Sequence, residues 1–113
     1  MSTPDPGFVR THSEVADALA EGRPVVGLET AVLTHGLPRN GQPAPRCLRK
    51  GGRVAELIGG TPAWDANAPL NLQSIRLLDQ AVRHAGAVPA VIAMIDGTLR
   101  IGLDAEELEA LAL

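Results

Sequence analysis

The chain has 113 residues, 45% of them hydrophobic and 20% charged, with a net charge of −3, which is one domain's worth of ordinary globular composition. Only Phe8 and Trp64 are aromatic, which excludes modules that stack bases on aromatic platforms, and the acidic balance excludes a general nucleic-acid binder. The single cysteine, Cys47, excludes an internal disulfide framework and a cysteine zinc site, and no apolar run approaches the roughly 20 residues of a membrane span.

In chain order, residues 1–10 hold no basic stretch followed by an apolar one, so no leader is expected. The expectation is a cytoplasmic protein with no nucleic-acid and no membrane partner. Residues 11–22 read as a short helix. Thr11 is placed to cap it with Glu14 three residues on, Val15, Ala18 and Leu19 share a face, and Gly22 ends it. Residues 25–28 form a short apolar run after Pro24 and predict a buried strand. The strand leads into Glu29 and then Thr34-His35-Gly36.

Residues 39–70 break the pattern. Nine of the 32 are Gly or Pro, and the stretch carries a net +3 against −6 for the remainder. So long a loop is unusual inside a compact domain. It reads as an irregular, exposed, Gly/Pro-rich basic insertion, with a hint of helix only at 53–58. Order returns at 71. Asn71 is placed to cap a helix whose Leu72, Ile75, Leu78 and Val82 form a stripe, ending at Gly86. The nearly all-apolar run 88–95 predicts a strand buried on both faces, tolerating Pro89 only near its start. Asp96-Gly97 predicts a tight turn and 99–101 a short return strand. Asp104 and Glu107 open a last helix carrying Leu108 and Leu111. The plan is a single α/β domain over 1–113, read as incomplete. It has about two buried parallel strands, a short hairpin return strand and three helices.

Glu29 is the most informative position. A carboxylate at the carboxyl end of such a strand sits where open α/β sheets place their ligands, and it suits general acid–base work. The alternative is a surface acid at a strand end. Thr34 and His35, just beyond, suit substrate orientation or proton transfer, or simply hydrogen-bond the loop. Asp96 reads as a turn former, and His84 as a cation at a helix end. Gly51-Gly52 and Gly59-Gly60 are followed by no Gly-Lys-Ser/Thr, so neither is a phosphate loop.

Two ordered blocks carry a resemblance. One is Pro24-Val25-Val26-Gly27-Leu28-Glu29-Thr30 with Thr34-His35-Gly36-Leu37-Pro38. The other runs from Asn71 through Gly86-Ala87-Val88-Pro89-Ala90-Val91-Ile92-Ala93 and Asp96-Gly97 to Ile101-Gly102-Leu103 and Glu106-Glu107-Leu108. In these the chain resembles the N-terminal portion of pseudouridine-5′-phosphate glycosidases, with 39–70 unmatched. The resemblance implies an α/β/α fold and reversible cleavage of pseudouridine 5′-phosphate, a small-molecule substrate, to uracil and ribose 5-phosphate. It also implies a manganese cofactor and a homo-oligomer. It casts Glu29 as the acid/base and places Thr34 and His35 at the substrate. In the family a lysine attacks C1′ and forms an imine with the opened sugar. The matched blocks hold no lysine and no metal ligand, and the one lysine, Lys50, lies in the insertion. The chain alone is therefore expected to be inactive, a segment of the enzyme. The alternatives are a non-catalytic remnant and a small phosphate-binding module.

Overall fold

The computed structural model describes residues 5–48, 52–60 and 62–113. Arg49 and Lys50 of the insertion lie outside the described residues. Among the described residues, four strands form one mixed sheet: β1 (Val9–Thr11), β2 (Val25–Glu29), β3 (Val88–Ile95) and β4 (Thr98–Ile101), in the order β1-β4-β3-β2. The helices are α1 (Ser13–Ala20), α2 (Arg53–Ile58), α3 (Leu70–His84) and α4 (Ala105–Ala112). A π-helical turn, Val32–Gly36, follows β2, and a single 3₁₀ turn, Arg46–Leu48, lies in the insertion.

β2 and β3 are parallel neighbours, as the intervening helix requires. β3 and β4 form an antiparallel hairpin, and β1 adds parallel to β4. The hairpin turn holds Asp96 at φ 48° and Gly97 at φ 75°, the double left-handed geometry that Asp-Gly favours. Pro89 costs the sheet nothing. The Val88 N–H donates to the Pro24 carbonyl, so Pro89 faces the other side, where pairing with β4 begins only at Ile92.

The sheet separates two apolar clusters. On one face α1 buries Val15 and Ala18 against Val88 and Ala90, with Val25 and Ile101 alongside. On the other, Leu33, Leu72, Ile75, Val91 and Ala112 are buried, with Leu28, Leu103, Leu108 and Leu111 packed on them. Each fully buried Val, Leu or Ile contributes about 1.5–3 kcal/mol. Both α1 and α3 end on a left-handed glycine, Gly22 and Gly86. In each case the next residue's N–H reaches back to the last turn: Arg23 to Ala18, and Ala87 to Val82.

Several expectations are corrected. β2 is an edge strand, not a buried one: Val25 and Leu28 are half-buried, while Val26, Gly27 and Glu29 are exposed. β3 is buried only over its first four residues, because α1 is too short to cover Ile92 and Met94. β1 escaped notice because three residues carry no readable alternation. Thr11 belongs to that strand, and the cap of α1 is His12, whose Nδ1 accepts from the Glu14 N–H at 3.1 Å. Asn71 does not cap α3, which starts one residue earlier after Pro69.

Instead Asn71 is fully buried. Its Nδ2 donates to the carbonyls of Leu33 and Ala112, each at 2.8 Å, and its Oδ1 accepts from the Leu72 N–H. One carboxamide thus joins the π-helical turn, α3 and the end of α4. At the other end of α4, the Asp104–Glu107 capping box forms as the spacing predicts. Glu107 also takes an ion pair from Arg100 of β4 at 2.5 Å.

The described residues of 39–70 hold one 3₁₀ turn and one short helix, and the stretch is tied to the rest of the domain. Its ends meet: the N–H groups of Leu70 and Asn71 donate to the carbonyls of Asn40 and Pro38. Gly41 passes so close to the backbone of Ala66 that a Cβ there would lie 2.1 Å from its carbonyl oxygen. Trp64 Nε1 donates to the Gln42 carbonyl at 2.8 Å, and Gln73 of α3 bonds both the N–H and the carbonyl of Asp65. The hinted helix is α2, which packs on α3.

Two predictions follow from these contacts. Asn71→Ala strands two buried carbonyls, so urea unfolding should show a loss of about 2–4 kcal/mol, against about 0.5 kcal/mol or less for Arg76→Ala on the exposed side of α3. Second, Arg83 of α3 grips both carboxylate oxygens of Glu14 on α1, at 2.7 and 2.8 Å. The guanidinium's hydrogen bonds hold the Glu14 carboxyl below its ordinary 4.5. A depressed carboxylate stabilises the fold fully above its unfolded value and loses that contribution as pH falls through the folded one. Since Glu14 is 41% exposed, the pair contributes at most about 1 kcal/mol. Titrating stability below pH 4.5 should show a drop in the native chain that is smaller in Glu14→Gln.

Candidate active site

β2 ends at Glu29, and the chain turns at once into the π-helical turn. Glu29 shares its sheet face with Val25 and Gly27, and it stands in register with Ile92 of β3. Beyond the reach of α1, that corner of the sheet is open. Met94 is 64% exposed, Ile92 is 37% exposed, and Glu29 is itself exposed. Among the described residues Glu29 has no hydrogen-bond or ion-pair partner and lines none of the four main clefts.

Thr34 and His35 ride on the π-helical turn, which is held from beneath. Leu33 is buried in the core, and its carbonyl is taken by Asn71. Thr34 Oγ1 lies 3.1 Å from the Thr30 carbonyl and 2.7 Å from His35 Nδ1. The hydroxyl donates to the carbonyl and accepts from the ring when Nδ1 carries the proton, leaving Nε2 as the base. Arg39, two residues past the turn's Leu37, clamps it from outside. It donates to the Thr34 carbonyl at 3.1 Å and to the Leu113 carbonyl. π-helical turns are rare and concentrate at functional sites.

The three residues singled out in the sequence therefore occupy one end of β2 and the turn after it. Thr34 and His35 are in contact, whereas among the described residues Glu29 is bonded to neither. The sequence reading missed the two residues that fix the turn, Asn71 and Arg39. A signal for Asn71 existed: it stands four residues before Ile75 on the apolar stripe of α3, where a polar side chain needs buried partners. Arg39 left no comparable signal among the other cations of the insertion. For a metal, the described residues bring no three His, Cys, Asp or Glu side chains together. The manganese implied by the resemblance has no ligand set among them.

The clefts lie elsewhere. One of about 360 Å³ separates α1, α3 and the start of α4, but its Arg83 is already committed to Glu14 and Asp79. A second, about 340 Å³ and apolar, lies between α3 and the insertion, lined by Leu48, Val54, Leu57, Trp64 and Leu77 among others.

Comparison with known proteins places this arrangement. Residues 63–113 match the family described as indigoidine synthase A like protein. A pseudouridine-5′-phosphate glycosidase of Rhodospirillum centenum is 40% identical over 105 residues, covering 93% of this chain and 24% of the relative. One of Salinispora tropica is 42% identical over 99 residues, covering 88% of this chain and 22% of the relative. The crystal structure of the prealnumycin C-glycosynthase AlnA in complex with ribulose 5-phosphate superposes with a TM-score of 0.54 at 31% identity. It covers 96% of this chain and 25% of that one. The chain spans about a quarter of the length of the curated relatives it matches. Over that quarter, and along about nine tenths of its own length, the chain is similar to pseudouridine-5′-phosphate glycosidases.

Proposed function

We propose that the chain supplies the acid–base half of a pseudouridine-5′-phosphate glycosidase site, with Glu29 as the proton-transferring group and Thr34 and His35 at the substrate. The observation that carries this reading is the position of Glu29. It ends a strand parallel to β3, in the Leu28-Glu29-Thr30 block that resembles the family, with nothing among the described residues occupying its carboxylate. Ligands of open α/β sheets sit outside the carboxyl ends of such strands.

The chemistry explains the division of labour. A carbon–carbon glycosidic bond has no heteroatom leaving group to protonate, so ordinary two-carboxylate hydrolysis does not suffice. The resemblance implies an amine that attacks C1′ and displaces the ring oxygen; its nitrogen lone pair then forms the imine as the C1′–uracil bond breaks, and that bond's electron pair leaves with the uracil. A carboxyl group at Glu29 gives a proton to the ribose ring oxygen as it leaves C1′, takes one back from the attached amine nitrogen, and gives that proton to the uracil carbon as the imine forms. His35, with Nδ1 occupied by Thr34, offers a second group for orienting the sugar phosphate. The sole lysine is Lys50, outside the matched blocks. The proposal therefore assigns the amine, and any manganese ligands, to the part of the family's length that these 113 residues do not span. A phosphorylated pentose fits the ribulose 5-phosphate held by the C-glycosynthase. The proposal includes a homo-oligomer in the cytoplasm; among the described residues no helix is long and apolar enough to cross a membrane.

The test joins the chain, as one polypeptide, to the part of the Rhodospirillum centenum relative that it does not match, and follows uracil release from pseudouridine 5′-phosphate. The joined protein should turn over while the 113 residues alone do not. In the joined protein Glu29→Gln should lower turnover by about 10²–10⁴-fold while shifting stability by no more than about 0.5 kcal/mol. Unchanged turnover in Glu29→Gln sinks the assignment.

A further inference from the structure

We propose that the outer edge of β2 is the joint at which the rest of the family's polypeptide adds a strand, parallel to β2, so that groups following that strand arrive beside Glu29. The inference rests on the proposed function and specifies where the missing half of the site docks.

The sheet has two edges, and they differ. On β2, the Pro24 carbonyl accepts from Val88, so residues 24, 26 and 28 turn their backbone groups toward β3. By the alternation of a strand, the N–H and C=O of Val25, Gly27 and Glu29 turn outward. Among the described residues nothing bonds them. Three donors and three acceptors therefore stand in a row ending at Glu29. On β1, the Phe8 carbonyl accepts from Leu99, so Val9 and Thr11 turn outward, and both donors are already taken. The Val9 N–H bonds the Pro6 carbonyl at 2.9 Å, and the Thr11 N–H bonds Asp5 Oδ2 at 2.9 Å. An edge closed by its own chain is a device against pairing, whereas a bare row of donors and acceptors is a template for it.

Side chains agree with the backbone. Gly27 offers no bulk to an approaching strand. Val26 is 40% exposed on one face of the sheet, and Ile92 and Met94 form an uncovered apolar corner on the other. These are positions that a continued sheet and its covering helices would bury. The occupant is indicated by length: the relatives carry about three quarters of their residues beyond the part matched here, and the C-glycosynthase does the same. Parallel addition continues the β2–β3 direction and brings the new strand's carboxyl end to Glu29, the end at which α/β sheets assemble their sites.

The experiment measures amide hydrogen exchange by NMR on the 113-residue chain alone and co-expressed, as a separate polypeptide, with the unmatched part of the Rhodospirillum centenum relative. Alone, the chain should be monomeric, and the amides of Val25, Gly27 and Glu29 should exchange fast. In the complex these three should slow by on the order of 100-fold, with Val9 and Thr11 unchanged. Gly27→Pro removes an outward N–H and places a Cβ 3.4 Å from Ile92 Cδ1, an ordinary contact, so it should abolish co-purification while leaving the isolated chain's circular dichroism intact. Val26→Lys, an edge charge, should weaken co-purification in the same way. If Gly27→Pro fails to fold, the exchange data on the unaltered chain decide. Failure to form a complex overturns the joint. So does a complex in which the three amides stay fast, or a dimer of the chain alone that protects them. Uracil release by a complex with fast amides would refute the joint and keep the proposed function. Protected amides without uracil release would do the reverse.

Discussion

A carboxamide sealed from water must find every partner inside the protein, and Asn71 does so by tying three segments that are far apart in sequence. Its two donated hydrogen bonds reach the Leu33 carbonyl of the π-helical turn and the Ala112 carbonyl at the end of α4. Both are carbonyls that helical turns leave without an internal partner. Because the turn carries Thr34 and His35 directly after Glu29, the geometry of the candidate site depends on this one buried polar group. Asn71 itself is fully buried, as are Leu33 and Ile75 of the adjoining apolar cluster, so water does not compete for these bonds.

The same region explains how a 32-residue excursion is accommodated. It leaves and returns through the hydrogen bonds of Asn40 to Leu70 and Pro38 to Asn71, so its ends sit together at the start of α3. A loop closed at its neck adds little strain to the domain, because closure entropy grows only slowly with length. Its own anchors, Trp64 on Gln42 and Gln73 on Asp65, hold it against α3 without disturbing the sheet.

The sheet itself is lopsided. α1 covers one face over Val88 and Ala90, while α3 and α4 cover the other. The carboxyl-terminal part of β3 and the whole outer side of β2 are left without cover among the described residues. That open edge lies next to a carboxylate, Glu29, without a partner among the described residues, in a chain whose relatives are about four times as long.

Local rules were enough for much of this. The Asp96-Gly97 turn, the Asp104–Glu107 capping box, the glycine stops at Gly22 and Gly86, the position of β3 and the short helix at 53–58 all follow from backbone preferences within a few residues. The ordered blocks around Glu29, Thr34 and His35 carried the resemblance for the same reason: they are contiguous in the chain. Tertiary structure alone decided the rest, because burial and pairing are properties of neighbours. β2 has the composition of a buried strand but lies at an edge, since among the described residues only β3 pairs with it. Three-residue β1 exists only because β4 offers it a partner, and Thr11 was lost to it as a cap. Asn71 has the residue type and spacing of a helix cap. It became a core ligand for two carbonyls because the turn after β2 and the end of α4, about 40 residues away on either side, converge on the same spot.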